Sequence, residues 1–173
     1  PLQPGTDSVE TVEWLFAHYV IARKIANLER TALLKSASEH FNTKLFTPNP
    51  TPELPLIHNM GSVDYQRQMP YVFKNSAINL NISLRSIRSG IPLRCFDIMG
   101  CGGFLLSNYQ GDFYEHFVPG EDLVLFESQE DFLNKCDYYL KHDNERLQIA
   151  ANGYGKVKEF HTYEVRLKEI FEV

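Results

Sequence analysis

The stretch Ser83–Asn108, SLRSIRSGIPLRCFDIMGCGGFLLSN, decides how this chain folds. Gly90 and Pro92 stand before a short apolar run, Gly100, Gly102 and Gly103 close it, and a second apolar run follows. Proline is preorganised for a first helical position and glycine tolerates the left-handed turn that ends a helix. The stretch therefore predicts a loop, a helix over Ile91–Gly100, a turn, and a strand over Gly103–Ser107, with helix termination as the expected duty of all three closing glycines. Its charge pattern adds chemistry. No Asp or Glu occurs between Asp64 and Asp97, whereas Arg67, Lys74, Arg85, Arg88 and Arg94 do. An anion is expected against this segment. The plainer reading is a set of solvated arginines, which is common on any surface.

Outward from this motif, short apolar runs alternate with helical periodicity. Lys44–Thr47, Leu56–His58, Ala77–Ile82 and Leu123–Phe126 read as further strands, with the proline-rich segment from Pro48 to Pro52 as a loop. Helices are expected over Asp64–Lys74, Asp112–Phe117, from Ser128 with Asp131 as its cap, over Asn144–Phe160 and over Thr162–Phe171. Pro70 is expected to kink or shorten the first of these. Ahead of them, Val12, Phe16, Tyr19, Ile25 and Leu28 recur at helical spacing, and Asp7 with Glu10 resembles a capping box, so residues 8–39 form one long helix, broken at most once. Strands alternating with helices imply an α/β fold, a Rossmann-like parallel sheet with helices on both faces, preceded by that long N-terminal helix. Two parts are expected, a linker and helical segment over residues 1–42 and the sheet domain over residues 43–173.

The chain has 173 residues and a formal charge of -5, so a broad nucleic-acid or anionic-membrane surface is not expected. Three cysteines, Cys95, Cys101 and Cys136, show no CxxC spacing and imply reduced thiols, hence a cytoplasmic setting. No apolar run reaches the length of a membrane span. Histidines lack metal spacing with carboxylates, so no metal site is expected.

In parallel sheets of this kind ligands bind beyond the carboxyl ends of the strands. The loop after Ala77–Ile82 is the candidate. A helix starting at Pro92 would turn free backbone N–H groups and the positive end of its dipole to a phosphate. Gly90 permits close approach, and Arg94 could grip the phosphate with a two-pronged hydrogen bond. Asp97, one turn further, could accept both hydroxyls of a ribose. The alternative for Asp97 is a carboxylate serving the helix dipole or a surface charge.

From Val63 to Phe171 the chain resembles the C-terminal, donor-binding domain of the group 1 glycosyltransferases of GT-B fold, most closely the spore-maturation, CgeB-like branch. Four pieces carry the resemblance in order: VDYQRQMPYVFKNSAINLNIS, SGIPLRCFDIMGCGGFLLSN, GDFYEHFVPGEDLVLF and DNERLQIAANGYGKVKEFHTYEVRLKEIF. The family carries a Glu-x7-Glu signature whose second acid holds ribose and whose first contacts the donor sugar. Asp97 stands at the second position and Ser89, which is no acid, at the first. Gly90, Ile91 and Pro92 match the loop whose amides meet diphosphate and sugar. The basic pair that neutralises the leaving diphosphate in the family has no counterpart after Lys44–Thr47, and Arg85, Arg88 or Arg94 are the substitutes. His58, at a strand end, would lie near base or diphosphate, or be a structural histidine. The resemblance implies metal-independent transfer from a nucleotide-diphosphate sugar such as a UDP- or GDP-sugar, no cofactor, and an acceptor-binding domain upstream that this chain lacks. A non-catalytic nucleotide or sugar-phosphate binding module on the same fold is the alternative. A receiver-like signalling domain is disfavoured, because Lys44 to Pro50 holds no carboxylate cluster.

Overall fold

The computed structural model describes residues 11–83 and 89–171. Thr11 caps the first helix among the described residues, its hydroxyl accepting the Trp14 N–H at 3.2 Å. The helix runs as α1 (Val12–Leu15), a π-helical stretch (Phe16–Ile21) and α2 (Ala22–His40), so the single irregularity expected in it is a π segment. The capping box at Asp7 and Glu10 lies outside the described residues. After β1 (Lys44–Leu45) and β2 (His58–Asn59) comes α3 (Met69–Asn75). Residues 65–68 form turns instead of the expected helix, and Pro70 stands in the first turn of α3, where its missing N–H costs nothing. Pro70 starts that helix; it does not kink it.

The central unit is β3 (Asn79–Asn81), α4 (Leu93–Gly100), β4 (Leu105–Asn108), α5 (Phe113–His116) and β5 (Val124–Phe126), followed by α6 (Gln129–Lys141), α7 (Asp143–Phe160) and α8 (Tyr163–Phe171). Strands β3, β4 and β5 pair in parallel in chain order, and β1 pairs with β2 in parallel as a separate two-stranded sheet. Both faces of the three-stranded sheet are covered. Leu106, Val124 and Phe126 pack with Leu33 and Ala37 of α2, Phe132 and Cys136 of α6, and Ile149 of α7. Leu105 and Leu125 point the other way, to Phe73 of α3, Cys95, Ile98 and Met99 of α4, and Phe113 of α5. Strand residues that alternate between two apolar layers are what a doubly covered parallel sheet requires.

The end of α4 shows why glycines follow it. The Gly103 N–H donates to Ile98 O at 2.9 Å and the Gly102 N–H to Met99 O at 2.8 Å, a paired bond pattern that closes the last turn, with Gly102 at φ +75°. Gly103 has a second duty beyond the expected termination. A Cβ there would lie 2.6 Å from Phe73 O and 2.7 Å from Asn79 Nδ2, so only glycine lets α3 and β3 approach this closely.

Candidate functional site

The carboxyl ends of β3 and β4 are tied by buried polar side chains. Asn81 Nδ2 donates to Ser83 Oγ at 3.0 Å and to Ser107 Oγ at 2.9 Å, Ser83 Oγ donates to Gln110 Oε1 at 3.0 Å, and the Ser83 N–H donates to Asn108 Oδ1 at 2.8 Å. Every buried side-chain polar atom among the described residues has a partner, so the network fixes the sheet edge from which the candidate loop departs. Arg85 and Arg88 lie outside the described residues.

Ser89 and Gly90 are exposed at the end of that loop, and Gly90 takes φ +94°, a conformation glycine adopts freely. Pro92 caps α4 with extended ψ, placing the helix start at Leu93, and Ile91 is half-buried against the layer that holds α4. The Gly90 N–H donates to a carboxylate oxygen of Asp112, the residue preceding α5. The amide expected to meet a phosphate thus already holds an anion, supplied by the chain.

Arg94 is exposed in the first turn of α4, and Asp97 is half-buried one turn on. The Tyr65 hydroxyl donates to Asp97 Oδ2 at 2.5 Å. Burial and the bond to Asp97 raise the Tyr65 phenol above its usual range, and a hydrogen bond with Arg94 opposes them. Arg94, Tyr65 and Asp97 therefore form one cluster. Tyr65 reaches it from a turn built by Asp64, whose Oδ1 accepts the N–H groups of Gln66 at 3.0 Å and Arg67 at 2.6 Å, and its ring meets Phe73 edge-on at 6.4 Å. A hydroxyl occupies the carboxylate expected to take a ribose hydroxyl.

The structure brings Arg94 and Asp97 together through Tyr65, while Gly90, Ile91 and Pro92 lead into the same helix and Gly90 is tied to Asp112. His58 lies on exposed β2, paired with Lys44, outside this cluster. Tyr65 and Asp112 escaped sequence reasoning. The signal for Asp112 was its place just before a helix, and for Tyr65 the turn-forming Asp64 beside it. A second opening of about 610 Å3 lies at the same sheet edge on the opposite face, lined among others by Glu29, Leu33, Ile82, Asn108, Phe126 and Ser128. Among the described residues no group of three His, Cys, Asp or Glu side chains could hold a metal ion, and no helix is long and apolar enough to cross a membrane.

A parallel sheet covered on both faces by helices defines a Rossmann-like α/β domain. Residues 23–172 match the model of the glycosyl transferase-like family, and the chain belongs to that family. No curated protein matches the chain.

Proposed function

We propose that this domain binds the nucleotide-diphosphate sugar donor of a glycosyl transfer, a UDP- or GDP-sugar, at the start of α4. The observation that carries the reading is the double occupancy just described. The Gly90 amide is bonded to a carboxylate, and the Asp97 carboxylate to a hydroxyl. Each is the bond that a diphosphate and a ribose would make. Donor binding would exchange Asp112 for a phosphate oxygen at Gly90 and Tyr65 for ribose hydroxyls at Asp97. Arg94 would pair with the diphosphate, and Ile91 and Pro92 would hold the loop. Ser89 would face the sugar without the acid that the resemblance expects there.

Departure of the nucleoside diphosphate leaves negative charge on the phosphate oxygens. Fixed N–H dipoles at the helix start, together with Arg94, with Arg85 or Arg88 as further candidates, would stabilise that charge without a metal ion. Attack needs an acceptor held in reach, which we assign to an acceptor-binding domain outside this chain, on the GT-B plan, of the CgeB-like kind. The three thiols are unpaired, which fits the reducing, cytoplasmic setting we propose.

Calorimetry with UDP, GDP and the corresponding nucleosides tests the reading. Diphosphates are expected to bind more tightly than nucleosides, and Arg94→Ala is expected to weaken diphosphate binding by about 1.5 kcal/mol, the lower end for a bond to a charged group because Arg94 is exposed. Equal affinity for nucleoside and diphosphate would overturn it. Binding that persists while the protein joined to an acceptor-binding domain releases no nucleoside diphosphate from any donor would favour the non-catalytic module, for which the serine at position 89 already speaks.

A further inference from the structure

We infer that the opening between α2 and α6, beyond the ends of the central strands, is a carbohydrate subsite. Its volume of about 610 Å3 lies within the range of about 300–1,000 Å3 that small-molecule sites occupy. Glu29 and Leu33 come from α2, Ile82, Asn108 and Phe126 from the carboxyl ends of β3, β4 and β5, and Glu127 from the approach to α6. Hydrogen bonds fix this frame. Arg30 Nη2 donates to Ile82 O at 3.0 Å and ties α2 to the end of β3. Asn108 Oδ1 accepts the Ser83 N–H at 2.8 Å while its Nδ2 donates to Ser83 O at 3.2 Å, and the Tyr109 N–H donates to Phe126 O at 3.0 Å. A site held in place this way gives up little freedom when a ligand enters.

Charge says what the opening takes. Among the described residues lining it are two carboxylates, Glu29 and Glu127, and no lysine or arginine. Like charge repels a phosphate there, and amides at the start of α6 are already bonded, that of Glu127 to Asp131 Oδ2 at 3.0 Å and that of Asp131 to Ser128 Oγ at 3.1 Å. Carboxylates only accept hydrogen bonds, so they call for hydroxyl or amine donors. Leu33, Ile82 and Phe126 supply apolar surface beside them, and Tyr109 adds an exposed ring whose centroid lies 6.1 Å from that of Tyr114. A sugar ring has both characters, hydroxyl donors around its edge and an apolar C–H face suited to an aromatic ring. An ammonium ion would use the carboxylates alone, and among the described residues no third His, Cys, Asp or Glu joins them to hold a metal ion.

Position gives the sugar its part, the acceptor, an assignment that rests on the donor reading above. Tyr109 and Asp112 belong to one loop between β4 and α5, Tyr109 lining the opening and Asp112 bonded to the Gly90 amide. Gln110 is buried between them and accepts the Ser83 hydroxyl at 3.0 Å, which holds the loop to the sheet. The opening and the donor site therefore lie on two sides of the same short loop. A sugar in the opening stands beside the diphosphate, while the acceptor-binding domain holds the rest of the acceptor. Its hydroxyl oxygen bonds the anomeric carbon of the donor, the bond from that carbon to the diphosphate breaks with its electron pair on the phosphate oxygen, and the hydroxyl proton goes to solvent.

The test is a titration of the whole chain with the methyl glycosides of glucose, galactose, mannose and N-acetylglucosamine, read by amide chemical shifts, with UDP, sorbitol and methylammonium as comparisons. At least one glycoside is expected to shift Asn108, Tyr109 and Gln129 together and saturably in the millimolar range, as for a small ligand in an open site. Sorbitol has the hydroxyls without the ring face and methylammonium the charge without the hydroxyls, and neither is expected to saturate these residues. Tyr109 is exposed, so Tyr109→Ala leaves the fold intact and is expected to weaken glycoside binding by about threefold to tenfold, the worth of an aromatic contact, with UDP binding unchanged. No saturable shift with any glycoside, or an equal response to methylammonium, would overturn the inference. A glycoside response in a chain that fails to bind UDP would uphold the subsite and remove its role as acceptor site. UDP binding at Gly90 without a glycoside response would overturn the subsite and leave the donor reading standing.

Discussion

Two parallel sheets in one chain differ in what covers them. In β1–β2, Lys44, His58 and Asn59 are exposed and Leu45 is half-buried. In β4–β5, six of the seven residues are buried and Leu106 is fully inaccessible. Strand pairing is parallel in both; among the described residues, helices on two faces are present only for the second. Stability and site follow that division. The well-covered sheet supplies α4 with Arg94 and Asp97, while Tyr65 reaches them from the turn that follows the thinly covered one. The cluster around Arg94 and Asp97 thus spans the boundary between a well-covered region and a thinly covered one.

The largest break in this comparison comes from the core. Leu106→Ala is expected to cost about 3 kcal/mol in urea unfolding, as for other fully buried leucines, and Leu45→Ala under about 1 kcal/mol. Equal losses would mean that both sheets share one core. Next, Gly103→Ala pushes a methyl against Phe73 O and Asn79 Nδ2, and about 2 kcal/mol of overpacking is expected in the same assay. A neutral effect would show that α3 stands further from β3.

Tyr65→Phe sharpens the link between the two regions. Loss of the bond to Asp97 is expected to lower stability by about 1 kcal/mol without ligand. UDP binding should hold or improve, since Asp97 is released. Asp112→Asn should likewise tighten UDP binding, by roughly threefold to tenfold, through removal of a competing charge at an exposed site. Calorimetry on both variants reads this, and weaker binding in both would mean that Tyr65 and Asp112 contact the ligand themselves.

The smallest effect is in pH. His161 packs against Phe96 and Phe117, with ring centroids 5.2 and 5.0 Å away, and its Nδ1 accepts a hydrogen bond from Arg166 Nη2 at 2.7 Å. Burial first, then Arg166, His116 and Lys156, lower its pKa from 6.5, with Glu169 opposing. A lowered folded-state value means that the stability it contributes is complete above pH 6.5 and is lost as pH falls through the lower folded value. Melting temperature should fall between pH 7 and 5, and less so in His161→Gln. Parallel profiles for the two proteins would remove His161 as the cause.

How much of this was legible in the sequence follows from the same physics. Elements of the covered sheet were readable because local signals agree with packing: Pro92 and Gly102 bound α4, and Ser128 with Asp131 caps α6, Ser128 Oγ accepting the Asp131 N–H at 3.1 Å. That Arg94 and Asp97 stand near each other was readable because they lie three apart on one helix. Tyr65 was not, because it comes from 32 residues away through a turn, and Asp112 was not, because a carboxylate before a helix looks like any cap. The second duty of Gly103 was hidden because close approach of α3 to β3 is tertiary. The split of the sheet was hidden too, since strand signals do not tell which edge stays open.

The central claim is that the donor diphosphate sits at the start of α4, and amide chemical shifts in a UDP titration test it most directly. The account predicts the largest change at the Gly90 amide, with Tyr65, Asp97 and Asp112 following at the same midpoint. Changes confined to Asn108, Tyr109 and residues 127–129, which line the opening on the other face, would contradict it.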